Sequence, residues 1–521
     1  MNPNIFILSG RISYRRLAAG LREDWRLRGQ SEILEECTYM DTFDWRLFNA
    51  GTLLETVHNN KGWRLEWRAY GETSPQDGCL LLDRPRFAAD IGNPAVRNRL
   101  AEVIGVRALL PLVSLRCRRR HLQLLDDEGK NLLTLQFEKD ESQICERQPG
   151  NAAIPCRSDW RVRLMPMKGY EEIADAVRTR LLSAGFLNPV TRDPLLDYLA
   201  ACGITPDNNR LVPVITPPDE RTDTAIRKIQ RLHLERMQLQ EAGIRQDIDS
   251  EFLHEFRVAV RRTRAFLGQS KGVIPSRRLS RFKRDFAWLG QSSGVARDMD
   301  VHLQAVEHYR AILPSALHDG LAPIQAYLMS RRNLEYGRMR RVLDSVRYRN
   351  LCRDWNLLLM QSGSASTTLP HARQTITEFA RHRIWRTFRK ARRQGQRIDV
   401  DRDTAGLHRL RKTVKKLRYL TDSFHYLLPP QKLRPLIRGQ KSLQEKLGQL
   451  QDHQVQKRRL EEIRLVLLSQ TGVSEATATA LDLLIAYLDE GNRKARRRFG
   501  KEFRQFSAAD VRQRYRQLSR G

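Results

Sequence analysis

Apolar and polar residues alternate along much of the first 200 positions. The alternation covers residues 113–124 and 133–137, and a polar segment at 126–130 separates the two runs. This pattern predicts two antiparallel strands joined by a hairpin. A helical period follows over 171–184 and ends at a glycine. We therefore predict an α+β domain with much antiparallel sheet over residues 1–205.

The pattern changes after a segment rich in proline. Residues 206–220 contain four of the 21 prolines, which is typical of a linker. From residue 221 to about 505 the apolar positions follow the period of an α-helix. A polar stretch at 362–368 divides this all-α domain into two helical halves, and residues 506–521 are assigned to a basic C-terminal tail.

The two helical halves contain an internal repeat. Each copy begins with a histidine and continues with arginine at +3, a basic pair at +7 and +8, and arginine at +10. The residues of the two copies are His254, Arg257, Arg261, Arg262 and Arg264, and His408, Arg411, Lys415, Lys416 and Arg418. Downstream, Leu289-Gly290 and Leu447-Gly448 are each followed by a segment that contains aspartate.

The register of the repeat predicts a basic stripe beside a buried face. On a helix the positions 0, +3, +7 and +10 share an arc of roughly 80°. The apolar positions, such as Phe256 and Leu410, fall next to this arc. A basic stripe is usually a solvated surface. Here the stripe occurs twice, borders the core both times and has no acidic residue at i±4 within it, which favours an anion-binding groove.

Phosphate is the anion that these side chains suit best. Arginine offers paired donors to phosphate oxygens, and lysine adds point charges. His254 and His408 fit a structural hydrogen-bonding role as well as donation to phosphate. Because no carboxylate shares their arc, we expect neither a metal nor another cofactor at these histidines.

The charge distribution supports a polyanionic partner for the C-terminal part. The net charge is +32, and residues 1–220 hold 30 Lys and Arg against 30 Asp and Glu. Residues 221–521 hold 62 against 30, so all of the excess lies there. The seven cysteines form no CxxC pair and no zinc spacing, which suits a reducing cytosol. No apolar run has membrane-spanning length, so we expect a cytoplasmic protein without a membrane partner.

At the repeated motifs the sequence resembles the CHAD domain, the conserved-histidine α-helical domain, over roughly residues 221–505. The matching residues are the two His-x-x-Arg motifs with their basic positions, and the Arg297-Asp298 and Asp452 segments. This resemblance implies two similar helical bundles around a basic cavity, and binding of inorganic polyphosphate. It also implies association with polyphosphate granules in bacteria. The oligomeric state stays open.

The first 205 residues resemble a divergent CYTH domain, the triphosphatase domain that precedes CHAD in many relatives. The similar segments are Tyr39–Gly51, Trp63–Arg68, Arg116-x-Arg118 and Lys168–Tyr170.

The departures from the CYTH pattern concern the metal-binding carboxylates. The family's opening Glu-x-Glu-x-Lys motif is absent from residues 1–12, and Arg161 and Arg163 stand where its late glutamates would fall. Glu138 and Asp140 remain as remnants. A divalent metal needs several carboxylate oxygens in one cavity, so we expect a barrel without a carboxylate cluster and without triphosphatase activity.

Two alternatives stay open. The first is an inorganic triphosphatase whose ligands lie elsewhere in the N-terminal domain. The second is non-specific nucleic-acid binding, because counterion release gives any basic module affinity for DNA or RNA. The stripes contain no regularly interleaved aromatic residues for base stacking, which argues against the second alternative.

Overall fold

The computed structural model of the chain describes residues 5–10, 13–70, 77–146, 154–155, 159–190, 193–206, 215–361, 369–400, 402–469 and 474–520. It divides into two compact units, Met1–Leu211 and Val212–Gly521. The polar break predicted at 362–368 lies outside the described residues, as do positions 207–214 of the predicted linker.

The first unit has the predicted α+β architecture. Its strands are β1 (Ile5–Leu8), β2 (Arg26–Gly29), β3 (Ile33–Asp41), β4 (Thr52–Asn59), β5 (Gly62–Ala69), β6 (Asp77–Leu81), β7 (Leu110–Leu125), β8 (Asn131–Cys145), β9 (Ile154–Pro155), β10 (Arg161–Pro166) and β11 (Leu187–Pro189). Its helices are α1 (Tyr14–Leu21), α2 (Arg46–Asn49), α3 (Pro94–Ile104), α4 (Glu171–Ser183) and α5 (Pro194–Ala201).

The strands form one antiparallel sheet in the order β11-β1-β10-β8-β7-β3-β4-β5-β6, with β2 paired to β7 and β9 paired to β8. The predicted hairpin is β7 and β8, and Gly129 in its turn has φ +82°, which glycine adopts without strain. The helix predicted at 171–184 is α4. Its Val177 and Leu181 pack with Leu124 and Leu135 of the hairpin in one core.

The structure corrects the interpretation of the cysteines. Cys145 at the end of β8 and Cys202 after α5 form a disulfide, although 57 residues separate them. The sequence spacing gives no sign of this pair, because the sheet and α5 together bring the two positions close.

The second unit is built from helices, as predicted. They are α6 (Thr222–Leu239), α7 (Glu241–Gln246), α8 (Ser250–Leu267), α9 (Ser276–Ser292), α10 (Gly294–Ile312), α11 (Leu321–Asp344), α12 (Val346–Met360), α13 (Ile376–Gly395), α14 (Thr404–Phe424), α15 (Pro430–Leu468), α16 (Glu475–Ser507) and α17 (Ala509–Arg520). Within the described ranges, none of the helices combines the length and apolar character that a membrane span requires.

Two of the apolar cores in the described part of this unit share long helices. One contains buried residues of α6, α13 and α14, and the other contains buried residues of α10 and α11. The long helices α15 and α16 contribute to both cores. Helix α17 also belongs to the first core through Tyr515 and Leu518, so residues that the sequence assigns to a tail are packed.

Candidate functional site

Both copies of the repeat lie on amphipathic helices with an aspartate at the N-terminus. Asp249 accepts hydrogen bonds from the first backbone amides of α8, and Asp403 accepts one from Gly406 in α14. Phe256 of α8 and Leu410 of α14 are fully buried. The apolar positions therefore fix the orientation of each helix, and the basic stripe borders the core as the register predicts.

Basic side chains from the two copies meet where α8 contacts α14. Burial, with the positive charges of Arg411 and Arg261, lowers the pKa of Lys415 to about 8. Burial also lowers the pKa of Arg411, and Arg261 adds to this effect. When the pKa of a basic group is lowered, its charged form is less stable in the protein than in water. The two helices thus hold like charges together in a partly dehydrated place.

Two more arginines of α8 lie against α9 and the start of α10. Arg257 donates from Nη1 to the carbonyl oxygen of Gly290 and to Oγ of Ser293, both at 3.1 Å. A Cβ at Gly290 would lie 2.6 Å from Nη1 of Arg264, and a Cβ at Gly294 would lie 3.3 Å from Nη1 of Arg257. The glycines leave room for both guanidinium groups.

We call Arg257, Arg261, Arg264, Arg411 and Lys415 the basic face. An aspartate accompanies it in each half of the unit. Arg411 lies 3.4 Å from Asp452. Asp298 takes the equivalent place beside Arg257. Burial lowers the pKa of Arg257 to about 10, and the charge of Asp298 opposes this lowering. These two carboxylates only partly compensate the five cations.

The family comparison covers the region that carries this face. The model of the CHAD domain matches residues 228–461, which include both copies of the repeat. The chain carries a CHAD domain.

Solved structures give weaker similarities. The CHAD domain from the plant Ricinus communis is 25% identical, covers 55% of this chain and 95% of its own, and has a TM-score of 0.45. PptA from Streptomyces chartreusis is 14% identical over 55% of this chain and 100% of its own, with a TM-score of 0.43. A Hippeastrum protein described as a candidate adenylyl cyclase with dominant triphosphatase activity is 12% identical over 39% and 95%, with a TM-score of 0.27. No curated protein matches significantly.

The CHAD domain does not bring all ten predicted residues to one cavity. His408 donates from Nδ1 to Oε1 of Gln451, 2.6 Å away, and lines a cavity of about 1070 Å³ with His453. Arg418 pairs with Asp422 at 3.5 Å, an i+4 partner just beyond the stripe. That both complete stripes line one cavity stays a prediction. His254 is half-buried on α8.

The residues at +8 point away from the basic face, because they lie about 100° from the +7 positions on each helix. Arg262 faces α6, where burial and, after it, the charge of Arg262 lower the pKa of His233. Lys416 faces α13 and lines a cavity of about 710 Å³. The sequence interpretation does not include α13, although eight Lys and Arg residues lie from Arg381 to Arg397 with no acidic residue among them.

In the first unit, four carboxylates converge on one buried guanidinium. Arg119 lies 2.9 Å from Glu35, 3.0 Å from Glu55, 2.9 Å from Glu138 and 4.0 Å from Glu66. The expectation that no carboxylates would converge in this domain is therefore wrong. The segment that resembles the CYTH family, Arg116-x-Arg118, precedes Arg119 on the same strand. The side chains of Arg116 and Arg118 are both exposed.

Further arginines compensate this Arg119 cluster. Arg163 lies 3.1 Å from Glu138, and Arg64 lies 2.8 Å from Glu35. Burial would raise the pKa of Glu138, but the nearby guanidinium groups hold it well below its ordinary range. Asp140, the second predicted remnant, pairs with Arg161 at 2.5 Å. In the described part of the chain, no three His, Cys, Asp or Glu residues are arranged to hold a metal ion.

Proposed function

We propose that the CHAD domain binds inorganic polyphosphate at the basic face and associates with polyphosphate granules. One observation carries the proposal: Arg261, Arg411 and Lys415 come from different copies of the repeat yet lie close enough for their charges to interact. An anion between them would reduce the repulsion and stabilise the charged form of Lys415. Polyphosphate offers a chain of such anions.

The basic face differs from an ordinary solvated surface in two respects. Its side chains are partly buried, and burial is the main cause of the lowered pKa of Arg257, Arg411 and Lys415. Its cations outnumber the two aspartates beside them. Both properties strengthen the attraction for a multivalent anion, because screening by water and salt is weaker at such a place.

A binding titration with charge-matched variants tests this assignment. The double variant Arg411→Ala/Lys415→Ala should weaken binding of long-chain polyphosphate by about 1.5–3 kcal/mol for each charge-assisted hydrogen bond that it removes. The control is Arg512→Ala/Arg516→Ala, which removes the same charge from exposed positions of α17; there binding should weaken by only about 0–1 kcal/mol. Equal effects of the two variants would mean that net charge alone binds the ligand.

For the first unit we propose that the Arg119 cluster is structural and does not support metal-dependent triphosphate hydrolysis. Glu35, Glu55 and Glu138 each accept a hydrogen bond from Arg119, which already satisfies oxygens that a metal ion would need. Displacing Arg119 would leave a buried cation without partners. The ion pairs therefore favour the closed network over a metal site.

Phosphate release from tripolyphosphate by the full chain, measured with and without Mg²⁺ or Mn²⁺, tests the second proposal. We expect release at the rate of the buffer alone. Metal-dependent release that disappears in Glu138→Gln would contradict the proposal and assign the cluster to catalysis.

A further inference from the structure

Helix α13 presents a second basic surface that the repeat does not include. The cavity of about 710 Å³ between α13, α14 and the end of α8 is lined by Lys271, Arg383, Arg386, Arg389, Lys390, Arg393, Arg397 and Lys416, besides His382, Trp385 and polar residues. Among the side chains described around it, none is acidic. We call this cavity the α13 groove.

The groove contains buried cations as well as exposed ones. Arg383 is 5% exposed and donates to the backbone oxygen of Lys271 at 3.0 Å, without a carboxylate partner among the described residues. Lys416 is half-buried beside Gly268, where a Cβ would lie 2.7 Å from its Nζ. Burial and the charges of Lys390 and Lys283 lower the pKa of Lys416 to about 8. Buried cations without partners are costly unless an anion joins them.

The rim of the groove supplies cations that are free to bind a ligand. Arg386, Lys390 and Arg393 are exposed, and no ion pair involves them within the parts of the chain that the structure describes. From His382 to Arg393 this rim extends about 16 Å along the helix axis, and Arg397 follows just beyond the end of α13. An extended anion fits such a row better than a single compact one.

The two halves of the CHAD domain differ at this place. In the register of the repeat, Glu235 of α6 is equivalent to Arg389 of α13, and Glu235 pairs with Arg231 at 2.9 Å. The corresponding surface of the first half is thus partly neutralised by its own residues. The excess of cations on α13 is a property of the second half and does not follow from the repeat.

The groove is close to the basic face. Arg261 and Gly268 are seven residues apart on α8, about 10 Å along its axis. Gly268 borders Lys416, and Arg261 borders Lys415, the adjacent residue of α14. Lys283, whose charge acts on Lys416, lies on α9, the helix that also contacts Arg257. One chain of phosphates could therefore pass from the face to the groove.

We propose that the α13 groove is a second phosphate-binding segment that holds the continuation of the polyphosphate chain bound at the basic face. This inference rests on the proposed function and adds a preference for long chains to it. Tripolyphosphate is too short to occupy both places, so long chains reach cations that short ones cannot.

A length series of polyphosphates, titrated into the full chain, tests the groove. The variant Arg386→Ala/Arg393→Ala should bind long chains about tenfold more weakly or worse, since each charge-assisted hydrogen bond to phosphate is worth at least that factor. The difference in affinity between long chains and tripolyphosphate should shrink accordingly. The matched control is Arg340→Ala/Arg341→Ala, two exposed positions of α11 that line neither place.

The outcomes separate this inference from the proposed function. If the α13 variant and the control show the same dependence on chain length, the groove is not a binding segment and the basic face stands alone. If the unaltered protein fails to bind long chains, the proposed function itself is wrong. If single-stranded RNA displaces long-chain polyphosphate at equal phosphate concentration, the groove prefers nucleic acid and the assignment to polyphosphate falls.

Discussion

Individual charged residues of this protein differ sharply in how much of the fold depends on them. Arg119 and Arg118 are neighbours on β7. Arg119 is buried among four carboxylates, whereas Arg118 is exposed and pairs with Glu141 and Glu32 at the surface. The alternation of the strand places one side chain inside and the other in solvent.

Replacing Arg119 should therefore destabilise the first unit strongly. Arg119→Met removes one guanidinium partner from each of the buried Glu35, Glu55 and Glu138, and breaking a buried pair costs about 3–5 kcal/mol. Arg118→Met should leave the stability nearly unchanged. Urea unfolding of both variants, followed by tryptophan fluorescence, measures the difference; similar midpoints for the two would contradict the structural role of Arg119.

His233 on α6 gives a prediction about pH. Burial, with the charges of Arg262 and Arg236, lowers its pKa from 6.5 to about 3. The unfolded chain takes up a proton below pH 6.5 while the folded chain does not, so the folded state loses stability as the pH falls. The decrease between pH 7 and pH 5 should be about 2 kcal/mol.

The variant His233→Leu isolates this contribution, because leucine does not titrate. Its free energy of unfolding should depend less on pH than that of the unaltered protein between pH 6.5 and pH 5, a range above the ordinary pKa of the carboxyl groups. Parallel curves for the two proteins in that range would assign the pH dependence to other groups.

The contacts of the histidines and cysteines could not be predicted from the sequence. The helical wheel places Arg261 and Lys415 correctly beside the core, because the 3.6-residue period fixes the direction of a side chain from its own helix. It cannot identify the partner of His408, because Gln451 lies on another helix. The Cys145–Cys202 pair depends in the same way on contacts between elements that are distant in sequence.

Among the elements, helix α17 has the largest difference between sequence expectation and structure. Its composition is basic and its apolar residues are few, which favours a tail. Tyr515 nevertheless stacks on Phe388 of α13 with ring centroids 3.9 Å apart, and its Oη accepts a hydrogen bond from Gln440 at 2.7 Å. Two buried residues are enough to pack this short helix against the core. A sequence prediction based on apolar periodicity detects such a helix poorly, because it contains so few apolar positions.

Tyr515→Ala should destabilise the CHAD domain by about 3–5 kcal/mol, the usual cost of removing a large aromatic side chain from a core. It also removes the hydroxyl that accepts the hydrogen bond from Gln440. Arg516→Ala, the neighbouring exposed position, serves as the control. Thermal unfolding decides the point: equal transition temperatures for the two variants would mean that α17 is not docked in solution.

For the molecule as a whole, the fold class follows from the sequence because alternation and helical period extend over long segments. The concentration of positive charge in the second unit also follows, because it requires only a count of the charged residues. The distribution of the ten candidate residues over several surfaces does not follow. That distribution depends on how α8, α13 and α14 pack, and a pattern along one helix does not contain this information.

At this scale the affinity for polyphosphate should depend steeply on salt. Each Lys or Arg that replaces a condensed counterion adds to the slope of log affinity against log salt. The slope should become shallower in Arg411→Ala/Lys415→Ala and stay unchanged in Arg512→Ala/Arg516→Ala. Titrations at several salt concentrations measure these slopes. A slope near zero for the unaltered protein would exclude a mainly electrostatic mode of binding.

The repeat in the CHAD domain is consistent with an origin by duplication, but the long helices mean that its halves are no longer separable modules. Helix α15 begins in one core through Leu433 and ends in the other through Leu460 and Ile463. A fragment that starts after residue 368 would keep the second copy of the repeat and expose the distal apolar residues of α15 and α16. Such a fragment would tend to aggregate, so a shortened chain intended for the binding titrations has to retain both halves.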